Sequence, residues 1–120
     1  GSEMCIRDSR DINCMIQLGM FTINGCVELP ENHPWLNKGN LQEFDGVDVH
    51  GGITYREGRV IGFDTNHFRD GHHPDTEWTN QTKEAITLEV YGETPHIWTW
   101  EEVETETRRL ADQAKDAHHA

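Results

Sequence analysis

Apolar residues recur at steps of three and four along the C-terminal segment, which is the periodicity of an amphipathic helix. Trp100, Val103 and Leu110 fall on one stripe, and charged residues occupy the other side. Thr99 precedes this stripe and Glu102 follows three residues later, which is the spacing of a capping box. The pattern therefore predicts a helix that begins near Trp100 and needs an apolar partner along its stripe.

Short segments rich in β-branched residues precede this helix and predict strands. Residues 15–29 include Asn24-Gly25, a turn signal, so we expect a hairpin or a bent strand there. Residues 47–55 alternate, and residues 60–63 and 85–91 add two further strands, with a long polar loop between them. A sheet is the available cover for the helix stripe. The predicted fold is α+β, with a small antiparallel sheet packed against one C-terminal amphipathic helix.

The length of 120 residues fits a single domain, for which we take residues 11–120. Residues 1–10 are expected to be a cloning- or adapter-derived tail. Gly1-Ser2 is typical of tag removal, and residues 3–9 resemble translated sequencing-adapter sequence. Cys14 and Cys26 lack metal-type spacing, and we interpret them as small buried residues in preference to a disulfide.

The net charge is −12 at pH 7, from 10 basic and 22 acidic residues. Such a chain lacks the basic surface that long nucleic acid or an anionic membrane requires. The sequence also contains no apolar run of transmembrane length and no signal-peptide core. These features predict a soluble protein that acts on a small molecule or on another protein.

The register of the central hairpin decides which polar groups meet. A two-residue loop at Glu57-Gly58 would place Ile61 on the polar face, whereas a three-residue loop over 57–59 pairs Tyr55 with Ile61. The longer loop leaves one apolar and one polar face, and we therefore predict it.

In that register one face of the hairpin is polar, and Gly52 and Gly62 leave this face open to a ligand. Its polar side chains are His50, Thr54, Arg56 and Asp64. Residues 53–69 are locally basic because they contain Arg56, Arg59 and Arg69, and a basic segment suits a phosphate-bearing small molecule. The candidate ligand-binding residues are His33, Trp35, His50, Gly51, Gly52, Thr54, Arg56, Asp64, His67 and Arg69.

Structural roles compete with each of these assignments. Gly51-Gly52 also fits a β-bulge, His50 a half-exposed strand residue, and Trp35 a core plug. A second chemical alternative is a zinc or manganese site that activates water for phosphodiester hydrolysis. Its candidate ligands are His50, Asp64, His67 and Asp70. The binding interpretation, in contrast, requires no cofactor.

Three segments together resemble a family of small phage and prophage proteins. Residues 24–35 carry N-G-x-V-x-x-P-x-x-H-P, residues 47–55 carry V-H-G-G-x-T-Y, and residues 62–67 carry G-F-D-x-x-H. The helix from Trp98 onward is also similar. Cys26 stands where the family has an aromatic residue, and Asn32 replaces a glycine.

Small phage proteins of this size include anti-defence factors for immune evasion. The resemblance implies a viral protein that acts in the cytoplasm of the infected bacterial host. We expect it to bind and sequester, like a sponge, a cyclic dinucleotide or a cyclic ADP-ribose isomer as a homodimer or larger homo-oligomer. The alternatives are a metal-dependent phosphodiesterase that cleaves such a signal and an acidic decoy that inhibits a host protein.

Overall fold

A computed structural model describes residues 3–7, 12–19, 22–65, 70, 88–90, 92 and 96–118. Five antiparallel strands form one sheet in the order β1-β2-β3-β5-β4. The strands are β1 (Glu3–Arg7), β2 (Asn13–Leu18), β3 (Ile23–Glu28), β4 (Tyr55–Glu57) and β5 (Val60–Phe63). Two short 3-10 helices, η1 (Pro34–Asn37) and η2 (Leu41–Phe44), lie between β3 and β4.

Helix α1 (Trp100–His118) packs on one face of this sheet, which confirms the predicted α+β fold. Alternate residues of the central strands point toward α1 and are almost fully buried, as the two-residue period of a strand requires. The apolar stripe of the helix meets them. The shared core includes Ile16, Ile23, Val27, Ile61 and Phe63 from the sheet, and Val103, Leu110, Ala111 and Ala114 from the helix.

Gly25 sets how closely α1 approaches the sheet. It lies opposite Phe63 in the centre of the sheet and under Thr107 of the helix. A Cβ atom at this position would overlap Thr107 Oγ1 and would lie 2.6 Å from Phe63 Cε1. The hydroxyl of Thr107 donates instead to the Val103 carbonyl at 2.7 Å, so its burial leaves no unsatisfied donor.

The capping box predicted for α1 is present in both directions. The Glu102 N–H donates to Thr99 Oγ1 at 3.1 Å, and the Thr99 N–H donates to Glu102 Oε1 at 3.1 Å. Two orphan donors at the helix start are thereby satisfied. The prediction of this helix from periodicity and capping is confirmed.

Side chains of α1 also hold the irregular segment that precedes β4. The side-chain amide of Gln113 accepts from the Asp48 N–H at 2.8 Å and donates to the Asp48 carbonyl at 2.7 Å. Arg109 Nη1 reaches the Asp48 carboxylate at 2.9 Å, and Glu106 accepts from the His50 N–H at 2.9 Å. The helix therefore fixes the position of His50.

Several predicted elements were placed wrongly. The hairpin expected within residues 15–29 is present as β2 and β3, but Asn24-Gly25 lies inside β3, and the hairpin closes where the Gly19 N–H donates to the Thr22 carbonyl. Of residues 47–55 only Tyr55 belongs to a strand, although Val47, Val49 and Ile53 are buried as their alternation suggests. The described part of the proposed strand 85–91, residues 88–90, is helical.

The predicted hairpin register is wrong by one residue. Tyr55 pairs with Gly62 and Glu57 with Val60, so the loop consists of Gly58 and Arg59 only. Gly58 has a φ of 60°, and a glycine at the first position of a two-residue loop is typical of a type II′ hairpin. This shift exchanges the faces of β4. Tyr55 becomes exposed, and Arg56 lies on the same face as Ile61.

The segment left out of the predicted domain contributes a strand. Met4 and Ile6 of β1 occupy register positions opposite Ile16 and Cys14 of β2. This pairing does not test the predicted origin of residues 1–10. No disulfide joins Cys14 to Cys26, and Cys14 is buried as expected, whereas Cys26 is half-buried. Among the described residues, no helix has the length and apolarity needed to cross a membrane.

Replacement of Gly25 by alanine is expected to destabilise the fold by about 1–3 kcal/mol, because the new methyl group overpacks the contact with Thr107 and Phe63. Gly46→Ala is the matched control, since a Cβ atom there meets nothing within 4 Å. Urea unfolding measures both variants. Equal free energies of unfolding for the two variants would contradict a close helix approach at Gly25.

Candidate functional site

A cavity of about 1130 Å³ lies over the sheet face opposite α1. This volume is sufficient for a small-molecule ligand. One row of paired positions crosses its floor from β2 to β4: Met15, Cys26, Gly62 and Tyr55. A Cβ atom at Gly62 would lie 2.8 Å from Cys26 Sγ, so the Cys26 thiol occupies the space that a side chain at Gly62 would need.

The centre of this cavity is apolar. Met15 and Val60 are half-buried there, and burial raises the pKa of the Cys26 thiol, which keeps it in its neutral form. Tyr55 forms one wall with 44% of its surface exposed, and its hydroxyl donates to Glu57 Oε2 at 2.6 Å. An exposed aromatic ring beside an apolar floor suits a planar ligand.

Polar groups surround this centre at both ends. At one end Thr54 Oγ1 donates to Asp64 Oδ2 at 3.3 Å, and Gln17 and Asn24 occupy paired positions nearby. At the other end are Asn13, Glu28 and Glu57. The described lining contains three carboxylates and no lysine or arginine. This cavity is therefore acidic, in contrast to the locally basic opening expected from the sequence.

The two glycines that precede β4 lie in a turn and not in a strand. Gly51 and Gly52 have φ angles of 69° and 77°, which favour glycine, and a Cβ atom at Gly52 would meet nothing within 4 Å. The backbone at Gly52 is therefore open to approach, as predicted. Thr54 and Asp64 contact each other, also as the shared polar face required.

His50 belongs to a second cluster, near the start of α1. Its Nε2 lies 2.8 Å from Asp70 Oδ2, and the indole N–H of Trp98 donates to Asp70 Oδ1 at 3.0 Å. The ring centroids of His50 and Trp98 are 4.5 Å apart. The hydrogen bond to Asp70 raises the pKa of His50 above its ordinary 6.5 against the opposing effect of burial, and the charges of Asp70, Glu106 and Asp64 add to the rise.

His33 and Trp35 lie on the helix side of the sheet, away from the cavity. His33 Nδ1 accepts from the Trp35 N–H at 3.0 Å, which leaves the proton on Nε2 for the Ala114 carbonyl at 2.6 Å. Burial lowers the pKa of His33 and so favours this neutral form. The Trp35 ring packs edge-on against Phe44 with centroids 6.0 Å apart. These contacts match the core role considered for Trp35.

Arg56 is separated from the acidic cavity by the corrected register. Its guanidinium donates to the carbonyls of Leu36 and Lys38, and its Nε donates to Gly58 O at 3.4 Å. The expectation that Arg56 shares a face with Thr54 and Asp64 is therefore wrong. Arg56 instead borders a smaller cavity of about 380 Å³ beside β4.

His67 and Arg69 lie outside the described residues. Of the four proposed metal ligands, the structure brings His50 and Asp70 into contact and leaves Asp64 with Thr54 on the sheet. Within the described ranges, no three His, Cys, Asp or Glu side chains form a group able to hold a metal ion. The metal hypothesis thus stays a prediction.

Sequence analysis missed the floor of the larger cavity. Met15 and Cys26 were assigned to an apolar run, and Tyr55 was assigned to the core. The available signal was the alternation of β3, in which Asn24, Cys26 and Glu28 alternate with residues buried against α1. A correct loop at Gly58-Arg59 would have exposed Tyr55 beside them.

No protein-family model matches this chain, and neither the curated proteins nor the solved structures that were searched contain a match.

Asp70→Asn is expected to reduce stability more at low pH than at high pH. The raised pKa of His50 means that its stabilisation is fully present below about pH 6.5 and is lost as the pH rises through the folded-state pKa. Near pH 5.5 we expect a cost of about 1.5–3 kcal/mol, as for hydrogen bonds to charged groups. The free energy of unfolding at about pH 5.5 and pH 8 provides the measurement.

Comparing wild type with Asp70→Asn at each pH cancels the opposite contribution of His33, whose lowered pKa costs stability as the pH falls below about 6.5. An identical cost at both pH values would contradict the proposed charge interaction between His50 and Asp70.

Proposed function

We propose that this protein binds a nucleotide-derived small molecule on the sheet face opposite α1 and holds it without chemical change. The observation that carries this proposal is the cavity of about 1130 Å³, with an exposed Tyr55 ring beside an apolar floor and hydrogen-bonding groups at its ends. A planar base stacks on an aromatic ring, and ribose hydroxyls donate to carboxylates. The cavity supplies both kinds of partner.

We expect different residues of the cavity to contact different parts of the ligand. The Tyr55 ring and the apolar floor of Met15 and Val60 receive the base. Asp64, already positioned by the Thr54 hydroxyl at 3.3 Å, accepts from a ribose hydroxyl. The acidic lining disfavours a phosphate at the floor, so the nucleoside part of the ligand contributes most of the recognition there.

The biological role that we propose is sequestration of a bacterial immune signal by a phage protein in the host cytoplasm. The resemblance of residues 24–35, 47–55 and 62–67 to small phage proteins supports this role. Sequestration demands slow release, which an open cavity cannot provide by itself. A second copy of the chain is the partner that we propose for closing it, in a homodimer or larger assembly.

His50 and Asp70 favour a second candidate, cleavage of the same class of signal. Asp70 is buried and is oriented by the Trp98 indole, while His50 keeps 28% of its side chain exposed. A buried carboxylate that orients a more exposed imidazole is suited to general acid–base catalysis. This candidate ranks second, because none of the described cavities adjoins the pair.

We expect Tyr55→Ala to weaken the binding of cyclic di-AMP, used as a probe, by about tenfold or more, because base stacking contributes roughly 1–3 kcal/mol. Titration calorimetry measures the affinity. Ile97→Ala is the control, since Ile97 is exposed to a similar extent, 46% against 44%, and does not line the cavity. Light scattering of the same samples reports whether two copies enclose the probe.

Denaturation and chromatography after incubation, with and without added zinc, manganese or chelator, distinguish binding from cleavage. Intact recovery with wild-type protein supports sequestration. Fragments that disappear in His50→Gln support the catalytic candidate. Equal affinities of Tyr55→Ala and Ile97→Ala would contradict the cavity as the binding site.

A further inference from the structure

Among the described residues, no carboxylate forms an ion pair with Arg56. Its hydrogen bonds all go to backbone carbonyls, those of Leu36, Lys38 and Gly58. Among the described arginines of the hairpin and helix, Arg59 lies 4.0 Å from Glu28, and Arg108 and Arg109 both pair with acids. Arg56 is thus without an acidic partner among the described residues, in a chain of net charge −12.

This guanidinium is fixed in place and retains donor capacity. Its three bonds use three of the five N–H groups that an arginine side chain offers, and the other two donate to no described residue. The backbone of η1 and the hairpin loop hold it from two sides, so little side-chain entropy is lost on binding. A rigid, planar, charged donor is the group that favours bidentate contact with phosphate.

The smaller cavity brings Arg56 next to the proposed ligand site. Gly39, Asn40, Leu41, Thr54, Tyr55 and Arg56 line it, and no acid is among these residues. Thr54 and Tyr55 line the larger cavity as well. The two cavities thus share these two residues, with carboxylates in the lining of the larger one and the guanidinium of Arg56 in the lining of the smaller one.

We infer that Tyr55 divides one ligand site into a nucleoside half and a phosphate half. The base and ribose lie over the sheet, and the phosphate reaches around β4 to the guanidinium of Arg56. This inference rests on the proposed function and specifies its ligand, a nucleotide whose phosphate lies beyond the base-stacking ring. Glu43 places an acid at the rim of the phosphate half, since its Oε2 accepts from the N–H of the lining residue Gly39 at 3.0 Å.

The test compares adenosine with adenosine monophosphate, with inorganic phosphate as a third probe, by titration calorimetry. Wild type is expected to bind the monophosphate about tenfold more tightly than adenosine, the gain of a charge-assisted hydrogen bond. In Arg56→Gln this preference should disappear while adenosine affinity stays within about twofold. Arg59→Gln is the matched control and should keep the preference, because Arg59 lies outside both cavities.

Two further variants keep the inference testable if Arg56→Gln fails to fold. Arg56→Lys should retain most of the preference for the monophosphate, and Glu43→Gln should increase it, because the amide still accepts from Gly39 without the negative charge. An unchanged preference in Glu43→Gln, or equal affinities of wild type for adenosine and its monophosphate, would overturn the inference. If adenosine itself does not bind, the proposed function fails as well.

Discussion

The contact between Gly25 and Thr107 determines which face of this sheet is available to a ligand. A side chain at Gly25 would hold α1 away from the central strands, and the buried residues of β3 and β5 would lose their cover. With the helix seated, one face of the sheet forms the core and the other borders the larger cavity. The position of the candidate site therefore follows from a packing requirement on the opposite side of the same strands.

The helix also organises the segment that carries His50. Gln113, Arg109 and Glu106 bind the backbone and side chains of residues 48–50, which have no strand partners of their own. This places His50 against Trp98 and within reach of Asp70. Helix α1 thus positions both candidate sites. It acts on the larger cavity indirectly, through the sheet, and on the pair of His50 and Asp70 directly. Their separation is why binding and catalysis are distinct proposals for this chain.

Local signals predicted the helix and β5 correctly, because capping and periodicity depend on nearby residues alone. The hairpin register was predicted wrongly, because residues 47–55 alternate like a strand although only Tyr55 belongs to one. Gly58 at a positive φ determines a two-residue loop, and this moves Tyr55 to the open face. The interpretation of Asn24-Gly25 as a turn was wrong for a related reason. The glycine serves the approach of a helix distant in sequence, which no local turn signal reveals.

For the candidate site, as for the fold, contacts between neighbouring segments were predicted, and contacts with segments distant in sequence were not. Thr54 and Asp64 meet as expected, although neither residue belongs to a strand and the predicted register is wrong. The expectation that His33 lines the ligand site is wrong, because its two ring nitrogens bind the Ala114 carbonyl and the Trp35 N–H within the core. A buried histidine with both nitrogens engaged cannot be distinguished from a ligand-binding one by sequence.

The central claim, that the open sheet face is the ligand site, is tested most directly by amide chemical shifts of isotope-labelled protein during titration with cyclic di-AMP. We expect the largest changes at Cys26, Tyr55 and Asp64, with small changes at Ala111 and Ala114 under the helix. Changes confined to the helix side, or centred on His50 and Trp98 with none on β3, would contradict the claim.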